Sequence, residues 1–264
     1  NSLATFISQR PLDLGADFSL FSTTKYISGH GAVVAGAIVA ATKELSQQIH
    51  YYANAHGRSQ NPMDVFLISL GIPTLKIRMI EHEKNSIFIA KYLEKQSYIK
   101  SVTHPALESH PQYELAKKQM KYIPGVFCVD FTSVELAEKF IENTKIFGEK
   151  CSFGSPDSRV EIPAKISHAS FSKEELAAIG ISDSTVRFSI GLESVEDLIK
   201  DIELKEEIKN RIFYLIGNHH TYDKIDGIDF QILVEADFLV NIYEDEISRE
   251  SIKSIKNKIF KTKK

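Results

Sequence analysis

The stretch Ser22-Thr23-Thr24-Lys25-Tyr26-Ile27-Ser28-Gly29-His30 places a lysine directly after two hydroxyl residues and four residues before a glycine. The preceding segment, residues 16–21, favours a β-strand, and the small-residue run at 31–41 favours a second one. We expect a lysine at the edge of such an apolar region to be desolvated. Its pKa then falls, and the neutral amine can attack a carbonyl to form a Schiff base. On an extended strand Ser22 and Thr24 share one face, so both hydroxyls can hold one anion.

A Schiff-base lysine beside an anion site is the combination that pyridoxal phosphate (PLP) requires. The alternative for Lys25 is a solvated lysine at a strand end, with Ser-Thr-Thr as an ordinary turn. The motifs around Lys25 favour the first interpretation, because they form one long ordered set. Its members are Asn1-Ser2-Leu3-Ala4-Thr5, residues 9–17, Ser22 to Tyr26, Gly29-His30 and Val33-Val34-Ala35-Gly36.

This set resembles the Cys/Met-metabolism family of PLP enzymes, which includes cystathionine γ-synthases, cystathionine γ- and β-lyases, methionine γ-lyases and O-acylhomoserine sulfhydrylases. The resemblance implies that Lys25 carries the cofactor and that Ser22 and Thr24 contact its phosphate. Further motifs follow in the family's order to about residue 202. They include Arg78-Met79 with His82, His110-Pro111-Gln112, Ser167-His168-Ala169-Ser170 and Val186-Arg187-Phe188-Ser189.

Two of these positions suggest how an amino-acid substrate is held. Arginine binds a carboxylate through a planar fork of N–H donors. The resemblance places Arg187 on the substrate α-carboxylate, although a strand or interface arginine is the structural alternative. The resemblance also places Ser158 where a serine positions the substrate and the Schiff-base lysine. His30, His82 and His168 are assigned no catalytic role.

Bulk composition narrows the possible partners and compartment. The chain has 264 residues, 43% hydrophobic and 25% charged, with a net charge of −3, so neither nucleic acid nor a membrane is an expected partner. The apolar run at residues 32–41 is too short to cross a bilayer. Cys128 and Cys151 do not make a disulfide framework. We therefore expect a cytoplasmic protein. The family resemblance implies an enzyme acting on a small amino acid, and it implies that the full-length relatives are homotetramers.

The pattern of elements predicts an α/β protein with three parts. Residues 1–80 are expected to be a remnant of the cofactor-binding large domain of an aspartate-aminotransferase-like (fold-type I) PLP enzyme. Residues 81–203 are expected to be a connecting helix and an α+β C-terminal domain, and residues 204–264 an all-α tail. Strands are predicted at residues 126–131, 165–172 and 185–191. Helices are predicted at residues 43–58, from Asn61-Pro62, at 80–96, 134–143, 195–202, 206–216 and 230–243, and from Ser248 onward.

The sequence also departs from the family pattern. The aspartate that pairs with the pyridine nitrogen would directly precede Asn1. The phosphate loop and the ring-stacking aromatic would also lie upstream, so we expect a truncated chain that is inactive alone. Residues 152–164 also differ from the family pattern, because Arg159 and Ile162 replace its usual apolar residue and histidine. Asp157 occupies the position that varies with reaction type, so γ-synthase, γ-lyase and β-lyase chemistry are not separated.

The tail resembles the C-terminal half of an HD-type metal-dependent phosphohydrolase. The match lies in residues 216–222 and 233–241, where Asp237 would be the last ligand of a divalent metal. A buried carboxylate needs a metal or a basic neighbour. His219 and His220 could bind the metal or end a helix. Three hypotheses follow: a PLP transsulfuration enzyme, a metal-dependent phosphohydrolase, and a chimeric fragment without catalysis. The first describes the ancestral function best, and the third the isolated chain.

Overall fold

The computed structural model describes residues 1–203, 211, 214–215, 217–218, 220–222, 225–244, 252, 255 and 258–262. The chain forms two compact units, Asn1–Glu203 and Leu204–Lys264. The predicted three-part division is finer than this and stays a prediction. No helix in the described part of the chain is long and apolar enough to cross a membrane.

The first unit begins with a small antiparallel sheet and the helices that follow it. Strands β1 and β2 pair in register from Phe18 opposite Ala40 to Ser22 opposite Gly36. Single 3-10 turns cover Pro11–Leu14 and Ile72–Thr74. The remaining elements of this part are α1 (Thr5–Ser8), β1 (Phe18–Ser22), β2 (Gly36–Ala40), α2 (Lys43–Ala55), α3 (Pro62–Gly71) and α4 (Leu75–Leu93).

Two of these helices begin where local side-chain chemistry dictates. The Thr42 hydroxyl accepts a hydrogen bond from the Leu45 N–H and caps α2. The Asn61 side chain accepts from the Met63 N–H, and Pro62 at the first helical position has no N–H that needs a partner. The predicted start of α3 at Asn61-Pro62 is therefore confirmed.

A mixed five-stranded sheet follows, in the order β3-β4-β7-β6-β5. Only β5 and β6 pair in parallel. Aromatic rings pack on the sheet: Phe188 stacks on Phe127 with centroids 5.2 Å apart and lies 5.6 Å from Phe140. The elements are β3 (Ile99–Thr103), α5 (Tyr113–Gln119), β4 (Val126–Phe131), α6 (Val134–Asn143), β5 (Gly148–Glu149), β6 (Arg159–Glu161), α7 (Lys173–Ala178), β7 (Thr185–Ser189) and α8 (Val195–Ile202).

One predicted strand is wrong. Residues 165–172 form a series of turns, in which the Lys165 and Ile166 N–H groups bond the Ile162 carbonyl and the His168 N–H bonds the Pro163 carbonyl. These local bonds occupy groups that a strand would offer to a neighbour. In contrast, the predicted bounds of β4, α6 and α8 are confirmed.

The second unit contains α9 (Ile228–Glu244), with Phe230 and Val234 buried beside Leu215. Glu235 is the deeply buried carboxylate of this helix. It accepts hydrogen bonds from the Lys261 and Thr262 N–H groups at 2.7 and 2.9 Å. Most of the helix predicted before Gly217, and most of the one predicted from Ser248, lies outside the described residues. The all-α character of the tail therefore stays a prediction.

Candidate functional site

The turn that carries Lys25 starts where β1 ends. The strand stops at Ser22, and residues 23–28 form turns in which the Ser28 N–H bonds the Thr23 carbonyl at 3.0 Å and the Gly29 N–H bonds the Lys25 carbonyl at 2.9 Å. Thr24 therefore lies outside the strand, and the prediction that Ser22 and Thr24 share one face of an extended strand is wrong. The turn arises because hydroxyl side chains and Gly29, with φ +71°, favour local bonds over a ladder.

Tyr26 anchors this turn in the core of the first unit. Its side chain is fully buried, and its hydroxyl accepts a hydrogen bond from the Gly125 N–H at 2.9 Å. The ring packs against His82, with centroids 4.9 Å apart, and against Phe153 at 5.9 Å. Burial raises the pKa of the Tyr26 hydroxyl above its ordinary value, so this group stays neutral.

Arg78 fixes the other side of the turn. Its buried guanidinium donates to the Tyr26 carbonyl at 2.6 Å, the Gly71 carbonyl at 2.7 Å and the Thr74 hydroxyl at 3.0 Å. A Cβ at Gly29 would lie 2.2 Å from an Arg78 nitrogen, so only glycine fits there. The arginine holds the backbone of the residue directly after Lys25, and so acts as a structural support for the lysine.

Lys25 reaches across to a loop between β5 and β6. Its amine donates a hydrogen bond to the Ser152 hydroxyl at 2.7 Å and lies 4.7 Å from the centre of the Phe153 ring. Burial lowers the pKa of Lys25, and the positive charges of Arg187 and, more weakly, Arg159 lower it further. This confirms the direction of the expected pKa shift, and it favours the neutral amine that nucleophilic attack requires.

Ser152 is the neighbour of Lys25 that the sequence analysis missed. Its backbone has φ +85°, a left-handed conformation that is costly for a residue with a Cβ. Lys25 and Ser152 are 127 positions apart in the chain, so no local sequence pattern could predict this contact. The one feature of the sequence that could have indicated the contact is Gly154, because a glycine permits the close approach of a loop to another backbone. In the structure Gly154 lies against the backbone of Tyr26. A Cβ at Gly154 would lie 2.5 Å from the Tyr26 nitrogen.

Arg187 lies on β7 beside the same loop. It is paired in register with Glu161 of β6, and its guanidinium lies 3.0 Å from the Glu161 carboxylate. It also donates to the Ser152 carbonyl at 3.3 Å. Glu161 is almost fully buried and accepts a second hydrogen bond from the Ser167 hydroxyl at 2.5 Å. The carboxylate thus holds the arginine close to the lysine by a charge-assisted contact.

The two hydroxyls predicted for the phosphate have different surroundings. The Thr24 hydroxyl accepts from the Ala35 N–H at 2.9 Å and lies 3.3 Å from the Ala35 carbonyl, so it ties the turn to the start of β2. Ser22 is half-buried at the end of β1, where its N–H donates to the Ser2 hydroxyl at 2.7 Å. Their contact with a phosphate stays a prediction.

Ser158 bonds Glu193 and Gly191, whereas the Lys25 amine bonds Ser152. The fully buried Ser158 hydroxyl donates to the Glu193 carboxylate at 2.8 Å and accepts from the Gly191 N–H at 2.8 Å. The Glu193 carboxylate also accepts from the Ser158 N–H at 2.6 Å. These bonds tie the segment before β6 to the end of β7. Ser158 thus links two segments of the chain, and Ser152 is the serine that contacts the lysine; the substrate contact expected of Ser158 stays a prediction.

Asp237 lies in the second unit, on α9. Its carboxylate is 3.6 Å from His220 Nδ1, and it accepts from the Asn241 amide at 3.3 Å. The basic neighbour expected for this acid is thus His220. Within the described residues no three His, Cys, Asp or Glu side chains form a group that could hold a metal. His219 lies outside the described residues, so the metal site stays a prediction.

A family model described as Cys/Met metabolism PLP-dependent enzyme matches residues 1–205. The chain belongs to this family. It is 41% identical over 203 residues to a cystathionine beta-lyase of Lactococcus lactis, covering 77% of this chain and 53% of that protein. It is 42% identical over 203 residues to a cystathionine gamma-lyase of Dictyostelium discoideum, covering 75% and 52%.

Solved structures of the family show the same fold. A cystathionine gamma synthase of Xanthomonas oryzae, in complex with cystathionine, superposes with a TM-score of 0.74 at 40% identity, covering 76% of this chain and 52% of that one. The chain thus spans about half the length of the relatives it matches. The predicted family and its PLP dependence are confirmed for residues 1–205, whereas the HD-type resemblance of the tail stays a prediction.

The residues around Lys25 fit the carbonyl end of PLP. The family's cofactor bears an aldehyde, and an amine with a lowered pKa is the group that reacts with it. The hydrogen-bond donors near the amine also fit such a ligand, because the Ser152 hydroxyl and the Arg187 guanidinium lie beside it. Both can bind the anionic or polar groups of a molecule held at Lys25.

Proposed function

We propose that this chain carries the lysine and the substrate-binding residues of a PLP-dependent transsulfuration enzyme. The substrate would be a sulfur amino acid or an O-acylhomoserine, and the reaction an elimination or replacement at its β- or γ-carbon. One observation carries this proposal: the Lys25 amine, with its lowered pKa, lies 2.7 Å from the Ser152 hydroxyl in a loop that also contacts Arg187. The family supports it, since lyases and synthases of cystathionine are among the relatives.

Each residue would have a distinct role. Lys25 would bind the cofactor covalently and, once released by substrate, move a proton at the substrate α-carbon. Ser152 would hold the amine in place through its hydroxyl. Arg187 would bind the α-carboxylate bidentately, while Glu161 keeps its guanidinium oriented. When bound, PLP supplies the electron sink that stabilises negative charge at the α-carbon.

Ser22 and Thr24 would contact the phosphate from the turn at the end of β1. The Thr24 hydroxyl donates to the Ala35 carbonyl at 3.3 Å, and a phosphate oxygen would take that proton instead, while the bond from the Ala35 N–H to the hydroxyl could stay. A phosphate group would therefore compete with the Ala35 carbonyl for the Thr24 hydroxyl. Truncation and inactivity of the isolated chain stay predictions, as does the homotetrameric assembly expected of full-length relatives.

The test is covalent capture of PLP by the lysine. The purified chain is mixed with PLP, reduced with borohydride and digested, and the modified lysines are located by mass spectrometry. We expect modification at Lys25, and its loss in Lys25→Ala. Lys84 is the matched control, because it is largely exposed and its contact with Glu81 raises its pKa.

Two outcomes would contradict the proposal. One is equal modification of Lys84 and Lys25 at neutral pH, which would mean that Lys25 has no special reactivity. The other is unchanged modification of Lys25 in Ser152→Ala, which would mean that the contact does not position the amine. The measurement needs no turnover, so it also applies to a chain without activity.

A further inference from the structure

Two peptide carbonyls flank the Cα of Ser152, and a different arginine holds each of them. Arg159 Nη1 donates to the Cys151 carbonyl at 3.2 Å, and Arg187 Nη2 donates to the Ser152 carbonyl at 3.3 Å. Because each peptide unit is planar, the orientations of the units before and after a residue fix its φ and ψ. The two arginines together therefore hold the backbone conformation of Ser152.

This conformation needs support from its surroundings. The φ of Ser152 is +85°, which is costly for a residue with a Cβ. A strained backbone of this kind persists only where the surrounding groups over-determine it. The direction of the Ser152 side chain follows from φ and ψ, and its hydroxyl accepts a hydrogen bond from the Lys25 amine at 2.7 Å. A relaxed loop would therefore turn the hydroxyl away from the lysine.

Asp157 anchors the guanidinium of Arg159. The Nε and Nη2 atoms of Arg159 donate to the two carboxylate oxygens of Asp157 at 2.9 and 3.1 Å, which makes a bidentate pair. The Arg159 side chain is only 16% exposed. Its third nitrogen, Nη1, is the one that bonds the Cys151 carbonyl. With all three nitrogens bonded, the guanidinium is held in one orientation.

Both arginines lie on the same face of the five-stranded sheet. Arg159 and Glu161 are two residues apart on β6, so their side chains share a face. Glu161 is paired in register with Arg187 of β7 and lies 3.0 Å from its guanidinium. A Cβ at Gly31 would lie 3.4 Å from Arg159 Nη2, so Arg159 also lies against the segment that follows Lys25. Each arginine thus reaches the loop from a strand, with a carboxylate of its own.

We propose that Arg159 is a positioning residue for the Lys25 amine. It fixes the peptide unit before Ser152 and so directs the Ser152 hydroxyl at the lysine, without touching substrate or cofactor itself. Arg159 is one of the two positions at which residues 152–164 differ from the family pattern, so this role belongs to the sequence of this chain. The proposal rests on the proposed function, in which Ser152 holds the amine in place.

The first experiment uses a substitution that keeps the charge. Lysine at position 159 retains a positive charge near Lys25 but has a single nitrogen, so it cannot make the bidentate pair and the carbonyl bond together. The PLP capture assay is run on the full 264-residue chain, with Lys84 as the reference. Arg159→Lys should lower modification of Lys25 at least about threefold relative to Lys84, because the bond that holds the loop is lost.

A double-mutant cycle separates positioning from a general structural effect. In a chain that carries Ser152→Ala, Arg159→Lys should change modification of Lys25 less than about 1.5-fold, because the hydroxyl that Arg159 directs is already gone. Arg10→Lys is the matched control, since the Arg10 side chain is 70% exposed and pairs with Asp13. It should leave modification of Lys25 unchanged in both backgrounds.

The second experiment measures the backbone strain and needs no cofactor. Ser152→Gly removes the Cβ that makes φ +85° costly, so it should raise the urea midpoint of the chain. In Arg159→Leu the loop is released and Ser152 can relax, so Ser152→Gly should raise the midpoint less. Asp157→Asn weakens the anchor of Arg159 and should reduce the gain in the same direction. Arg10→Leu should leave the gain unchanged.

Three results would overturn the proposal. Arg159→Lys leaves modification of Lys25 unchanged, although Ser152→Ala lowers it. Arg159→Lys has the same effect with and without the Ser152 hydroxyl. Ser152→Gly stabilises the Arg159→Leu chain as much as the unaltered chain. If Lys25 is not modified selectively in the unaltered chain, the proposed function fails, and the urea experiment still decides whether Arg159 holds Ser152.

Discussion

Replacing Arg78 with methionine should cost the first unit about 3–5 kcal/mol of unfolding free energy. The guanidinium donates three short hydrogen bonds, at 2.6, 2.7 and 3.0 Å, and a longer one at 3.4 Å to the Ile27 carbonyl, from a side chain that is 6% exposed. A hydrogen bond to a charged group contributes about 1.5–3 kcal/mol, so the gross loss is roughly 5–9 kcal/mol. Methionine fills much of the volume and removes the cost of burying a charge, which offsets several kcal/mol of that loss.

The assay is equilibrium urea unfolding followed by far-UV circular dichroism. Arg10→Met is the matched control, because the Arg10 side chain is 70% exposed and pairs only with the exposed Asp13. We expect the control to change the unfolding free energy by less than about 0.5 kcal/mol. A loss below about 1 kcal/mol for Arg78→Met would refute the reasoning, since the Tyr26 and Gly71 carbonyls would then have found other donors.

Three further predictions concern the close contact at Gly154, the pKa of Lys25 and the dependence of stability on pH. Gly180→Ala, at φ +75° with open space around it, should cost about 1–2 kcal/mol. Gly154→Ala, at φ +81° and against the backbone of Tyr26, should cost about 2 kcal/mol more in urea unfolding; equal costs would contradict the close contact. Arg187→Gln should raise the pKa of Lys25, because the arginine's charge lowers it, and so shift the pH profile of PLP modification to higher pH; an unshifted profile would contradict this. Burial lowers the pKa values of His82 and His104 from 6.5 to about 4, so below pH 6.5 the unfolded chain binds two protons that the folded chain does not. Each histidine should lower stability by about 1.4 kcal/mol per pH unit down to about pH 4, and His82→Gln should remove about half of this joint slope; an unchanged slope would contradict this.

The local elements of the fold were largely predictable from sequence. Asn61 and Pro62 start α3, and the apolar spacing of residues 134–143 defines α6, since capping and periodicity act within a few residues. The strand predicted at residues 165–172 failed. These residues turn instead, because the carbonyls of Ile162 and Pro163 bond nearby N–H groups.

Only part of the candidate site could be predicted from the sequence. Lys25 was identified because its neighbours in the chain carry the signal. Ser152 was missed and Ser158 was chosen instead, although both are serines in one short segment. The choice between them depends on which hydroxyl faces the lysine, and that depends on a loop in which Ser152 adopts φ +85°. The local sequence does not determine which way each hydroxyl points, because that depends on contacts with residues far away in the chain.

The sequence by itself determined the family of residues 1–205 and predicted Lys25 as the lysine that binds the cofactor, because both are carried by ordered motifs along the chain. The tertiary structure alone decided that Ser152 holds the Lys25 amine and that Arg187 lies beside it, paired with Glu161. The physical reason is distance along the chain. Contacts across more than a hundred residues are set by the packing of Tyr26 against Gly125 and by the register of β6 with β7, and neither is a property of any local segment.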